Sequence, residues 1–391
     1  MKLTPVLSSL LAAAALVACG KAGTTDEFRA AAPTSDKIAI SEYDGDPADG
    51  TAATDSSSSA QQVARPECHP HLFVRTHEII GRLNRHFAKH LHHVEELIED
   101  NPLGDGETKT WENIRAGLDR KFTMTRTANL DGSITYDFEL DIASVPASGS
   151  LSFVKVMWGS ITHSGPAVEA SDAGTSDAGT AERVENKGMV TFDFDALASV
   201  KASERARGQI TDTFDNVRDP TNGVKRSASV VLTNFLPEEG DPHGPRNGSY
   251  SWEREPGVGG KFRFQDTVTL FCLPNPAGVQ SDVTTISRWY KGADGQVRGR
   301  SDSKATGGQL PTGDTWMGVT CAKGQTTAMP AEGFWMMKLE DSAGTTVSSQ
   351  MSQAGTDPCD AVFGAVPSAT DNKTDYDFPA DFSAITFPGE W

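Results

Sequence analysis

The 391-residue chain is poor in several things that would have announced a function. It has only five cysteines and no CxxC pair, so neither a thioredoxin-like redox site nor a zinc ribbon is written in it. CxxCH is absent too, which removes c-type haem. GxSxG, a Walker loop, a dinucleotide fingerprint and HExxH are all missing, leaving no template for those chemistries. Basic residues are outnumbered, 35 Lys and Arg against 53 Asp and Glu, for a formal net charge of −18. A chain that must neutralise phosphates needs a basic patch, so nucleic acid is not an expected partner. No run of 18 apolar residues occurs, so no transmembrane helix is expected.

What is present starts with the leader. Lys2 is followed by an uncharged apolar run, Val6 to Ala18, too short to span a bilayer comfortably. It ends in Leu16-Val17-Ala18-Cys19-Gly20. This resembles the lipobox of bacterial lipoproteins. The resemblance implies cleavage before Cys19, a diacylglyceryl group on the Cys19 thiol, and usually acylation of the new amine. It also implies a cell-envelope protein held by lipid. Gly20 stands where inner-membrane lipoproteins often carry Asp, which points to the outer membrane or cell surface.

With Cys19 lipidated, Cys68, Cys272, Cys321 and Cys359 remain. An even number in an exported chain favours two disulfides. Three connectivities are possible. Cys321 with Cys359 is the nearest pair along the chain, and Cys68 with Cys272 would then clamp the helix described below to the body.

In chain order, residues 1–18 are the signal peptide and 19–66 read as a disordered tether. The tether is rich in Ala, Asp, Ser, Thr and Gly and too apolar-poor to offset its ordering entropy. It is expected to hold the body away from the membrane. Residues 67–103 form a His-rich amphipathic segment, in which Ile79/Ile80, Leu83, Phe87, Leu91, Val94 and Leu97/Ile98 recur at helical spacing. The helix is predicted from about Arg75 to Glu99, with Thr76 as N-cap and Asn101-Pro102 as its stop. Residues 104–366 change to period two. Ile134, Tyr136, Phe138, Leu140 and Ile142 alternate with Thr135, Asp137, Glu139 and Asp141, and Asp131-Gly132 marks a hairpin turn. About a dozen such strands follow, with one short helix at Asp195 to Ala202. A twice-written Ser-Asp-Ala-Gly-Thr, from Ser171 to Thr180, reads as a loop. Residues 367–391 form a polar tail pinned by Phe378, Phe382, Phe387 and Trp391. The predicted fold is mainly β: a large antiparallel sheet, barrel-like or sandwich, with one long N-terminal amphipathic helix packed on it.

The sharpest chemical signal is histidine. His86, His90 and His93, at i, i+4 and i+7, fall within about 60° on one helical flank. Neutral imidazoles at that spacing suit Zn, Cu or Ni, and His69 and His71 could add ligands. The same three would serve a pH sensor through their shared titration range. Carboxylates give a weaker signal. Asp137, Glu139 and Asp141 share a strand face, as do Asp193 and Asp195, which is the minimum a glycoside hydrolase needs. Asp266 interrupts an apolar face formed by Phe262, Phe264, Val268 and Leu270. Trp252, Trp289-Tyr290 and Trp335 read as core or edge packing, with a ligand cleft as the alternative. No catalytic residue stands out. The reading is a lipid-anchored envelope protein with a non-catalytic binding or structural role, its partner an envelope protein or a small ligand. The alternatives are a metal-binding module on the helix histidines and a hydrolase using strand carboxylates.

Overall fold

The computed structural model describes residues 23–40, 72–104, 106–145, 150–164, 186–219, 223–238, 244–255, 259–270, 279–291, 296–325 and 331–351. Among the described residues there are four helices: α1 (Thr25–Ala31), α2 (Ser35–Ile38), α3 (Leu72–Ile98) and α4 (Phe194–Val200). The fourteen strands, in chain order, begin with β1 (Thr108–Arg115), β2 (Leu118–Ala128), β3 (Ile134–Ser144), β4 (Val154–His163) and β5 (Asn186–Asp193). Next come β6 (Arg207–Asp219), β7 (Gly223–Leu236), β8 (Arg246–Glu255), β9 (Gly259–Leu270) and β10 (Val279–Lys291). The last four are β11 (Gln296–Thr306), β12 (Thr315–Gln325), β13 (Ala331–Glu340) and β14 (Thr346–Met351).

All fourteen lie in one antiparallel sheet in sequence order, each strand paired with the next. No ladder joins β1 to β14 among the described residues, so the sheet is not closed, and it is not divided into the two layers of a sandwich. Because the chain reverses at every turn, alternate connections share one end of the sheet. The β2–β3 turn stands at one end. The β1–β2 turn, α4, the β11–β12 connection and the β13–β14 turn stand at the other.

The period-two pattern places its apolar face inward. Ile134, Tyr136, Phe138, Leu140 and Ile142 of β3 are buried, and Asp137 is exposed. The β2–β3 turn is the expected one, with Gly132 in the left-handed region and the Gly132 N–H donating to Asn129 O. On the outward face, cross-strand threonines pair through their hydroxyls, Thr135 with Thr162 at 2.9 Å and Thr191 with Thr211 at 3.0 Å. Gly159 lets β4 and β5 approach, since a Cβ there would meet Met189 O at 1.9 Å.

Helix α3 crosses the concave face and touches strands from β1 at its C-terminal half to β10, β11 and β12 at its N-terminal half. Its stripe is fully used, with Ile79, Ile80, Leu83, Phe87, Leu91, Val94, Leu97 and Ile98 all buried. The helix begins earlier than its cap signal suggests. Thr76 is inside the helix, donates back to Leu72 O, and meets Ser287 Oγ at 2.5 Å. Ser287 in turn meets Ser301 Oγ at 2.6 Å, and Thr285 meets Ser303 at 2.6 Å. This seam of small hydroxylated side chains lets helix and sheet come close while every hydroxyl keeps a partner.

The tether prediction is corrected over residues 23–40. They form α1 and α2, with Phe28, Ala31, Ala32, Ile38 and Ile40 buried in the same core as α3. Thr24 caps α1 by accepting from Glu27 N, a local signal that composition hides. The rest of the docking is long-range. Arg29 donates to the carbonyls of Ile98, Glu99 and Asp100 at 2.7–3.3 Å, which closes the C-terminus of α3. Glu27 Oε1 accepts from Arg126 Nε at 2.9 Å and Tyr136 Oη at 2.5 Å, and Phe28 packs edge-on against the Tyr136 ring. Asn84 exchanges two hydrogen bonds with the Ile40 backbone, both 2.8 Å. The low-complexity repeat (171–180) and the tail with Phe378, Phe382, Phe387 and Trp391 lie outside the described residues.

Candidate functional site

The three flanking histidines of α3 sit where the helix passes over β5, β7 and α4. They do not converge. His86 packs edge-on against Phe235, with ring centroids 5.3 Å apart. His90 lies between Phe192 and Phe194, at 6.0 and 5.0 Å. His93 has its Nδ1 3.3 Å from Arg120 Nη1. Among the described residues no three ligating side chains gather around one point. The metal expectation for His86, His90 and His93 thus finds no converging ligand set among the described residues. A shared helical flank fixes the direction of three imidazoles, but each meets a different strand and is claimed by it. His69 and His71 lie outside the described residues.

Burial changes the chemistry of these rings. Desolvation drives His86 down to about 4, helped by the nearby Lys89 and Arg85 charges. Desolvation drives His90 down to about 3 despite the attraction of Glu204. Burial and then Arg120 lower His93. All three are neutral at pH 7. A small cavity beside them is lined by His90, His93, Met157, Phe192, Phe194 and Leu197, with about 20 Å³ of room, enough for one water molecule. The Nε2 of His90 has no protein partner there.

Arg120 is the cationic member of this corner. Its side chain is buried on β2, with Nη1 3.6 Å from Glu96 Oε2. Glu96 also binds Arg115, which holds its carboxyl below the usual carboxylate range. Lys89 reaches the buried Glu204 at 3.3 Å. These contacts join α3 to β1, β2 and the α4–β6 connection and leave no carboxylate pair facing a cleft.

The strand carboxylates are likewise placed for structure. Asp137, Glu139 and Asp141 point outward, and Glu139 binds Lys155 at 2.5 Å. Asp193 spends both oxygens locally, accepting from Ala196 N and from Gln209 Nε2, each at 2.9 Å, and so caps α4. Asp195 is exposed. The side chain of Asp266 is outside the described set. Trp252 and Trp289 are buried, in line with packing.

One acid was missed. Asp212 on β6 is fully buried, and neither carboxylate oxygen has a partner. It faces inward between Val190 on β5 and Val230 on β7, both buried. Desolvation alone raises its pKa well above the ordinary carboxylate value, so it is a neutral acid. The signal was in the sequence: Ile210, Asp212 and Phe214 put an acid on the apolar face of a strand. The same rule had singled out Asp266.

Cys321 is buried in β12 and held in a disulfide. Cys19, Cys68, Cys272 and Cys359 lie outside the described residues. No helix among the described residues is long and apolar enough to cross a membrane. Comparison of the chain with protein-family models, with curated proteins and with solved structures finds no match in any of the three.

Proposed function

We propose that this chain is a lipid-anchored cell-envelope protein whose body has a non-catalytic binding or structural role. The observation that carries the reading is the occupied concave face. Phe28, Phe87, Leu91, Val94 and Leu97, from the chain's own helices, are each no more than 1% exposed there. A curved sheet that enclosed a ligand would leave hundreds of cubic ångströms free. Here the chain's own helices occupy that face among the described residues, which supports recognition by the outer surface. The lipobox at Leu16 to Cys19 supports the anchor, and the outer membrane or cell surface is the proposed site.

Disulfide-bonded Cys321 fits an exported chain. The proposed pairing is Cys321 with Cys359, the nearest pair along the chain, and Cys68 with Cys272.

The deciding experiment is the intact mass of protein extracted from membranes, followed by non-reducing peptide mapping. A chain starting at Cys19 and carrying a diacylglyceryl group is expected, together with a soluble Cys19→Ser variant. An unmodified Cys19 would sink the anchor. Linked peptides other than the two named would sink the pairing alone.

A further inference from the structure

The docking of residues 23–40 has a consequence for how the body meets the membrane. Gly23, the first described residue, lies against Arg126 and Phe28; a Cβ on it would come within 2.8 Å of both side chains. Arg126 stands near the end of β2, three residues before the β2–β3 turn, and is tied to Glu27 at 2.9 Å and Glu107 at 3.1 Å. Only four peptide steps separate Gly23 from Cys19. Fully extended, they reach at most about 14 Å. The slack that composition assigned to residues 19–66 is not available, because the chain is captured by the body almost as soon as it leaves the lipid.

We propose that the end of the sheet bearing the β2–β3 turn lies directly against the lipid headgroups, with the opposite end, bearing α4 and the β13–β14 turn, facing away. The proposal rests on lipidation of Cys19. Its occupant is the phospholipid surface in which that lipid sits. Leu130, at the tip of the β2–β3 turn, has a fully exposed side chain and is the apolar residue that meets the headgroup layer first. Strands of ten or eleven residues set the two ends about 35 Å apart, enough to tell them apart optically.

The test uses the full-length chain, extracted with its lipid and placed in phosphatidylcholine vesicles carrying a headgroup-attached acceptor dye. A donor dye is introduced at Leu130 or, in a second preparation, at Ala343 in the exposed β13–β14 turn. Energy transfer is expected to be at least twofold more efficient from position 130. Inserting about twenty Gly/Ser residues between Cys19 and Gly23 adds a coil of about 25 Å and is expected to erase that difference without touching the fold. Equal or reversed transfer on a chain whose mass shows the lipid overturns the orientation and leaves the anchor standing. A preference that survives the inserted linker also overturns it, since something other than the short leash would then set the orientation. A chain with no lipid on Cys19 removes the anchor, and the orientation with it.

Discussion

At the residue scale, two kinds of buried ionisable group pull stability in opposite directions with pH. His86 and His90 on α3, and His163 on β4, have folded pKa values pushed to about 4, 3 and 4, in each case mainly by desolvation. Unfolded histidine titrates near 6.5, so between that pH and the folded value the unfolded chain binds more protons. Their contribution is therefore complete above about pH 7 and is lost as pH falls through 6 toward 4. Each is expected to cost on the order of 2 kcal/mol between pH 7 and pH 5. Of the charges facing the α3 pair, Lys89, Arg85 and Arg246 act in the same direction as burial, and only Glu204 opposes it without outweighing it. Urea midpoints at pH 7.5, 6 and 5 should fall steadily; a flat series would show the rings to be hydrated. Asp212 behaves oppositely. A carboxyl held neutral against an unfolded value near 3.9 costs stability at pH 7, where the unfolded chain is free to ionise. Asp212→Leu, which keeps the branched shape with somewhat larger apolar ends and sits among valines, is expected to raise stability by about 1–4 kcal/mol. A lowered melting temperature would mean that the acid has a partner in solution.

At the element scale, the joint between α1 and α3 is the contact that pattern reading could not supply. Arg29→Ala removes three donors from the exposed carbonyls at the end of α3 and is expected to cost about 1–3 kcal/mol, with the loss seen first as faster amide exchange in the last turn of α3. Phe28→Ala, in a fully buried site against Tyr136, should cost about 3–5 kcal/mol. Gly159→Ala tests the sheet. Its Cβ would collide with backbone in β5, so expression as insoluble chain or a melting temperature lowered by many degrees is expected, whereas an unchanged melting temperature would refute the close approach.

At the scale of the whole molecule, one sheet in sequence order is folded around helices from its own N-terminal region. Deleting residues 23–40 would uncover the core faces of α3, β2 and β3. The shortened chain is expected to bind an apolar dye such as ANS and to melt well below the full chain, while keeping its β signature. A deletion that left dye binding and melting unchanged would show that these helices are ornaments on the surface. The proposed orientation rests on the same docking, so the fold and that proposal stand on one joint.

Much of this was legible beforehand because the information was local. Period two in β3, the Asp131-Gly132 turn and the α3 stripe each depend on neighbours within a few residues, and each is seen in the structure. Legibility ended where a side chain's fate depended on something far along the chain. His86, His90 and His93 share a flank by helical geometry alone, but Phe235, Phe192, Phe194 and Arg120 decide what each does. Residues 23–40 carry too few apolar groups to order themselves, and they order because Arg126, Tyr136 and the carbonyls of α3 wait for them. The sequence by itself determined the class of structure and the resemblance to a lipid-anchored export. Tertiary structure alone decided that each of the three imidazoles packs against a different partner and that residues 23–40 are docked in the core, because burial and long-range hydrogen bonds exist only once the sheet has folded around its helices.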